Sequence, residues 1–200
     1  MDSGTSLDRM VFFSDAVFAI ALTLLALDLK LPTGLAAEDV DDALVAALPQ
    51  LLAYALSFLI IARTWMQHRA DFAGILGFNT NLGRLNFTLL FFIAMLPGPT
   101  SVLSEYGDDP TPWPSVLYAA NISAVYLTMA SVWRYAKHAG LMDQDSVARR
   151  YRRVLNVRVA GAAVFLASIP AAFALNAWTP FLWLLLVPVS WLTHRLTPAP

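Results

Sequence analysis

The stretch RMVFFSDAVFAIALTLLALDL, residues Arg9 to Leu29, decides how the rest of the chain is read. As a helix rising about 1.5 Å per residue it covers about 30 Å, the thickness of a bilayer's hydrocarbon core. Phe13, Ile20, Leu24, Leu27 and Leu31 recur at spacings that share one face, with Thr23 beside Ile20 and Leu27. Yet the apolar run opens with Arg9, Ser14 and Asp15. Ionisable groups at a membrane edge are expensive to bury and tend to be kept for a function. A charged mouth on a helix with an aliphatic stripe is the pattern of a gated path through a membrane.

Composition points the same way. Of 200 residues, 58% are hydrophobic and only 14% charged, and the mean hydropathy is +0.60; soluble domains sit near half apolar and a quarter charged. There is no cysteine, so disulfides and thiolate metal sites are excluded. The N-terminus lacks a basic segment, short apolar core and small-residue cleavage site. The first run is therefore read as a retained membrane helix.

Six apolar runs follow one another, roughly 10–29, 43–62, 85–103, 115–133, 159–175 and 178–193. The first four approach the length of about 20 residues that a span needs. The last two are shorter, are split only by Asn176 and Ala177, and are expected to form a tight helical hairpin, with Trp178, Trp183 and Trp191 as interfacial anchors. Pro49, Pro97, Pro170 and Pro188 lie within or at the ends of helices and suggest kinks. The expected fold is an all-α integral membrane protein of one domain, residues 1–200. Its six transmembrane helices fall near 7–30, 41–66, 80–104, 113–138, 152–176 and 178–195.

The loops give the orientation. Glu38, Asp39, Asp41 and Asp42 follow the first run, and Glu105, Asp108 and Asp109 follow the third. The second loop carries Arg63, Arg69 and Arg84, and the fourth is strongly basic from Arg134 to Arg158. With the N-terminus inside, every lysine and arginine except Lys30 is cytoplasmic, including Arg195 in the tail. The positive-inside rule then puts both termini in the cytoplasm of a multi-pass protein of the inner (plasma) membrane. The basic segment Arg149–Arg158 reads as a topology determinant that extends the fifth helix, or as a docking surface for anionic lipid head groups. It is too short and too close to the bilayer for nucleic acid.

Several chemistries can be excluded. There is no Walker-type glycine loop, no H-E-x-x-H and no G-x-S-x-G. His68, His138 and His194 lie apart with no carboxylate at metal-ligand spacing. The reading is not an enzyme, and no cofactor is expected beyond a permeant ion. No TVGYG-like run is present, so a pore must be lined by side chains on helices.

Arg9-x-x-x-Phe13-Ser14-Asp15, continuing through Thr23-Leu24-Leu25, resembles the R-x-x-x-F-S-D helix of the transmembrane protein 175 family, the lysosomal potassium channels and their bacterial and archaeal relatives. Trp65-x-x-His68-Arg69, Asn86 and Leu96-Pro97 resemble that family's second and third helices. Helices four to six match only in number, length and topology. The resemblance implies a homotetramer of six-helix subunits conducting monovalent cations, chiefly potassium, through a central pore lined by helix 1. Carried over, Ile20, Leu24 and Leu27 form the constriction, Thr23 bears on potassium preference, and Asp15 is the motif aspartate linked to proton permeation in the lysosomal member.

Read from the residues alone, the stripe is either packing or pore; Thr23 within it and the charged groups at its mouth favour the pore. A narrow aliphatic ring closes by dewetting, and a hydroxyl ring selects less sharply than stacked carbonyls, so a potassium-preferring but leaky pore is expected. Arg9 and Asp15 are six residues apart and poor partners for each other. His68, Arg69 and Asn86, at the cytoplasmic ends of helices 2 and 3, are expected to receive them. That cluster either fixes helix packing, or sets the open–closed balance and senses pH through His68. A secondary transporter is the alternative, but the internal repeats and mid-membrane charges of that class are missing; a proton-leak pathway is the other.

Overall fold

A computed structural model describes residues 3–29, 34, 36–186 and 188–189. It is all-helical apart from one isolated bridge between Ile75 and Met142. Helix α1 runs Ser3–Leu25 and tightens into a 3-10 turn over Ala26–Asp28. A short α2, Val40–Ala46, leads through Ala47 into α3, Leu48–Phe72, with Pro49 in its first turn, where a missing N–H costs nothing. Next come α4, Thr80–Met95, and α5, Pro97–Tyr106. Helix α6 spans Trp113–His138 and α7 spans Gln144–Leu175. The chain then continues as a 3-10 segment, Asn176–Leu185.

Local chemistry explains the joints. Asn79 caps α4 by accepting from the backbone N–H of Leu82 at 2.9 Å. Pro97 cannot donate to the ladder, so α4 ends in a tight turn, with the Leu96 N–H reaching the Ile93 carbonyl. Asn176 takes a left-handed φ of 43°, which a short polar side chain tolerates. There the chain reverses onto α7, and the indole of Trp183 donates to Ser168 at 3.0 Å.

Among the described residues, four segments are long and apolar enough to cross a membrane: Leu48–Phe72, Thr80–Tyr106, Trp113–His138 and Arg150–Leu185. That is fewer than the six expected. Helix α1 carries Asp8, Arg9 and Asp15 within its length, and the last two runs adjoin as one stretch, Arg150–Leu185, that turns back at Asn176. Helix α3 continues to Phe72, beyond the expected end at 66, so Arg63 lies inside a helix and not in a loop. Helix α7 starts at Gln144, with its basic first half already helical. Trp178 is exposed, but Trp183 is buried against Tyr118 and Phe165 and anchors the core instead. The expected end of helix 6 at 195, together with Lys30, Leu31, Trp191, His194 and Arg195, lies outside the described residues.

Helix α6 is the hub, with α4, α5 and α7 packed around it. Tyr118, Ile122, Met129 and Trp133 along it are fully or almost fully buried, the pattern of a helix enclosed on all sides. One core joins Phe18, Ile61, Ile93, Tyr118 and Phe165; a second, towards the α1 N-terminus, joins Leu7, Phe72, Leu82 and Trp133. Helix α1 lies at the edge of this assembly, against α3 and α4.

Candidate functional site

Helix α1 has two faces of opposite fate. Leu7, Met10, Ser14, Phe18, Ala21 and Leu25 are buried, spaced three or four apart as one helical face requires. The opposite face stays open: Ile20, Leu24 and Leu27 are 57%, 41% and 62% exposed. Phe12 and Phe13 share that exposure. So does Thr23, whose hydroxyl donates to the Ile20 carbonyl at 2.8 Å. Its proton is thereby committed to the backbone, and its oxygen lone pairs stay available. The predicted stripe from Phe13 to Leu27 therefore lies on the surface of the single chain.

Behind the stripe a hydrogen-bond chain ties α1 to its neighbours. The Ser14 hydroxyl donates to the Met10 carbonyl at 2.8 Å and accepts from the Asn86 amide nitrogen at 2.9 Å. The Asn86 amide oxygen faces His68 Nε2 at 2.9 Å. An amide oxygen only accepts, so Nε2 carries the proton. Nδ1 is buried with no hydrogen-bond partner among the described residues, in a ring held between Phe18 and Phe72. All three side chains are almost completely buried.

Asp15 takes a different partner from the one expected. Its carboxylate accepts from the Trp65 indole N–H at 2.7 Å, and the Arg69 guanidinium sits 5.1 Å over the same ring. Carboxylate, indole and guanidinium form one row along α1 and α3. His68 and Asn86 instead receive Ser14, one residue earlier and about 100° around the helix. Arg9 is exposed, and no ion pair or hydrogen bond joins it to the described residues. Phe13 packs its ring against Phe87 at 5.7 Å. No group of three or more metal-ligating side chains occurs among the described residues.

Two polar constellations escaped the sequence reading. Arg158, taken there as the end of the basic segment Arg149–Arg158, is 2% exposed. It pairs with Asp71, donates to the Met129 carbonyl at 2.9 Å and lies over the Trp133 ring. The available signal was weak: Asp71 is the one acid between the second and third apolar runs, and Arg158 directly precedes the fifth. The second is a buried hydroxyl chain of Tyr118, Ser57 and Thr100. Thr100 donates to the Leu96 carbonyl at the α4–α5 break. Ser57 must therefore donate to Thr100, and Tyr118 to Ser57.

Comparison with known proteins gives concordant results. A family model described as "Endosomal/lysosomal potassium channel TMEM175" matches residues 9–97. A potassium channel of Streptomyces collinus is 32% identical over 154 residues, covering 76% of this chain and 75% of that protein. A potassium channel of Chamaesiphon minutus is 30% identical over 155 residues, covering 72% and 76%. The endosomal/lysosomal proton channel TMEM175 of Bos taurus is 33% identical over 66% of this chain but only 28% of its own length. The crystal structure of a lysosomal potassium-selective channel TMEM175 homolog from Chamaesiphon minutus superposes with a TM-score of 0.79 at 24% identity, covering 95% of this chain and 99% of the other.

Proposed function

Because the chain belongs to the TMEM175 family of ion channels and is no enzyme, we propose that it is a potassium-preferring cation channel whose pore is lined by α1 from four copies. One observation carries the reading. Helix α1 buries one face in its own subunit and leaves an unbroken apolar face, Phe13 to Leu27, uncovered. Lipid alone would accept such a face, but Thr23 within it and Arg9 and Asp15 at its mouth favour a water-lined path. Around a four-fold axis it makes stacked rings, with Ile20, Leu24 and Leu27 as the constriction and Thr23 between them.

Such a ring expels water when narrow and conducts when widened. The Ser14–Asn86–His68 chain and the Asp15–Trp65 bond fasten the back of α1 to α3 and α4, so they set how far the helix rotates. The charge pattern of the loops supports both termini in the cytoplasm of a plasma-membrane protein. The relatives named proton channels favour a second permeant species, with Asp15 as the exchangeable group.

The test is a planar-bilayer recording of purified protein in a potassium/sodium gradient, beside Ile20→Ala and Thr23→Ala. Current should reverse towards the potassium potential, grow in Ile20→Ala and lose its preference in Thr23→Ala. Flux that saturates at carrier rates, unchanged in either variant, would end the channel reading. Repeating the recording in a proton gradient, with Asp15→Asn, separates proton leak from potassium current.

A further inference from the structure

A groove of about 550 Å3 lies between α3, α7 and the terminal 3-10 segment, away from the exposed face of α1. Leu52, Leu56 and Leu59 of α3 form one wall, and Phe181 and Leu184 the other. Its floor is aromatic. A Cβ on Gly161 would come within 2.8 Å of the Tyr126 ring, so that ring lies directly on the α7 backbone. Apart from the Trp183 indole, already committed to Ser168, the polar groups of the lining are those of Arg63 and Tyr126.

The position of Arg63 along the chain gives the depth of that end. Arg63 closes the apolar run 43–62, Arg134 closes the run 115–133, and Arg158 opens the run 159–175. Arg63 and Arg134 thus stand at the cytoplasmic ends of two apolar runs by the loop charges, whereas Arg158, at the start of a third, turns inward onto Asp71. Lipid phosphates sit at the depth of those ends. One helical turn before Val157, which lines the groove, is Arg153, on the same face of α7. Leu52, Leu59 and Phe181 are 69%, 66% and 60% exposed, so the groove opens sideways along the chain's surface.

We propose that this groove is a binding site for an anionic glycerophospholipid of the inner leaflet. One acyl chain lies between α3 and the terminal segment, and the phosphate lies on Arg63. Guanidinium matches phosphate in charge and in bidentate geometry. Arg63 also takes part in the protein's own interactions; its five N–H donors serve both. The basic segment at the start of α7 then has a specific acceptor for the charge it brings to this edge of the membrane.

Native mass spectrometry of the detergent-purified, full-length protein with phosphatidylglycerol or phosphatidylcholine tests this. Both lipids present a phosphate, but in phosphatidylcholine its charge is offset by the headgroup's own ammonium, so the wild type should retain phosphatidylglycerol about tenfold over phosphatidylcholine. Arg63→Gln should bring the ratio near one, Arg63→Lys should keep most of it, and Leu59→Trp should lower retention of both lipids. Oligomer mass is read in the same spectra. Equal retention of both lipids by the wild type overturns the proposal, as does an undiminished preference in Arg63→Gln. A changed oligomer mass in Leu59→Trp with lipid retention intact would mean that a second copy covers the groove. Retention that rises when the chain is cut after Val189 would mean that its own terminus fills it. Either result also overturns the proposal.

Discussion

At the scale of single residues, the buried polar groups differ in what their removal leaves behind. Arg158 and Asp71 are both buried and joined. Breaking such a pair from one side strands a charge and costs about 3–5 kcal/mol, whereas replacing both partners with apolar residues is far milder. Arg158→Met should therefore lower the melting temperature sharply, and Arg158→Met with Asp71→Leu should recover most of the loss in the same thermal unfolding assay. The hydroxyl chain gives a finer contrast. Tyr118→Phe removes a donor while Ser57 keeps its bond to Thr100, costing about 0.5–1.5 kcal/mol. Ser57→Ala strands Tyr118 and cuts off Thr100 together, so its thermal shift should be clearly the larger of the two.

At the scale of elements, the contact between α6 and α7 depends on Gly161. The Tyr126 ring lies where any Cβ on that residue would go, at 2.8–3.0 Å from three ring atoms. The ring is stacked on Phe165 and cannot retreat freely. Gly161→Ala should force the helices apart or the ring out of place, at about 1–3 kcal/mol. The reading is a lower unfolding temperature; a gain in stability would show that the ring yields easily. Helix α1 shows the complementary case of an element fastened on one side only. Asn86→Leu keeps the bulk but takes partners from both His68 and Ser14. It should destabilise by about 1–3 kcal/mol and shift the open probability of the current in bilayers, because α1 loses its attachment to α4.

At the scale of the whole molecule, the absence of cysteine makes single-cysteine scanning clean. If four copies surround an axis lined by α1, Ile20→Cys should cross-link between copies on mild oxidation. Phe18→Cys, on the buried face two residues away, should not. Cross-linking at both positions, or at neither, contradicts an α1-lined axis. The two cores divide the subunit into a layer around α5, α6 and the terminal segment and another around the ends of α3, α6 and α7. The Ile75–Met142 bridge, with the Leu76 N–H on the Leu141 carbonyl at 2.8 Å, pins the two basic connections together at one end. Whatever moves α1 acts against a frame held at that end.

How much of this was legible beforehand follows from what each signal measures. Hydropathy and the Arg9–Asp15 motif were enough for an all-helical membrane chain of this family, because burying apolar length in lipid is a property of composition and needs no partner. The helical period likewise placed Ile20, Thr23, Leu24 and Leu27 on one side of α1, since side-chain direction along a helix is set locally. Partners were another matter. Asp15 was expected among His68, Arg69 and Asn86, yet it found Trp65, while Ser14 took the amide. The difference is about 100° around a helix, decided by how α1 seats against α3 and α4. Arg158 read with the basic segment because four arginines, Arg149, Arg150, Arg152 and Arg153, precede it; α6 closes over it and supplies a carbonyl and an indole face. Trp183 read as an anchor until the turn at Asn176 folded it inward. The sequence by itself determined which segments are helical and which of their faces are apolar. Only the tertiary structure decided which polar groups meet, because a hydrogen bond depends on ångström-scale distances between helices that composition and period do not contain.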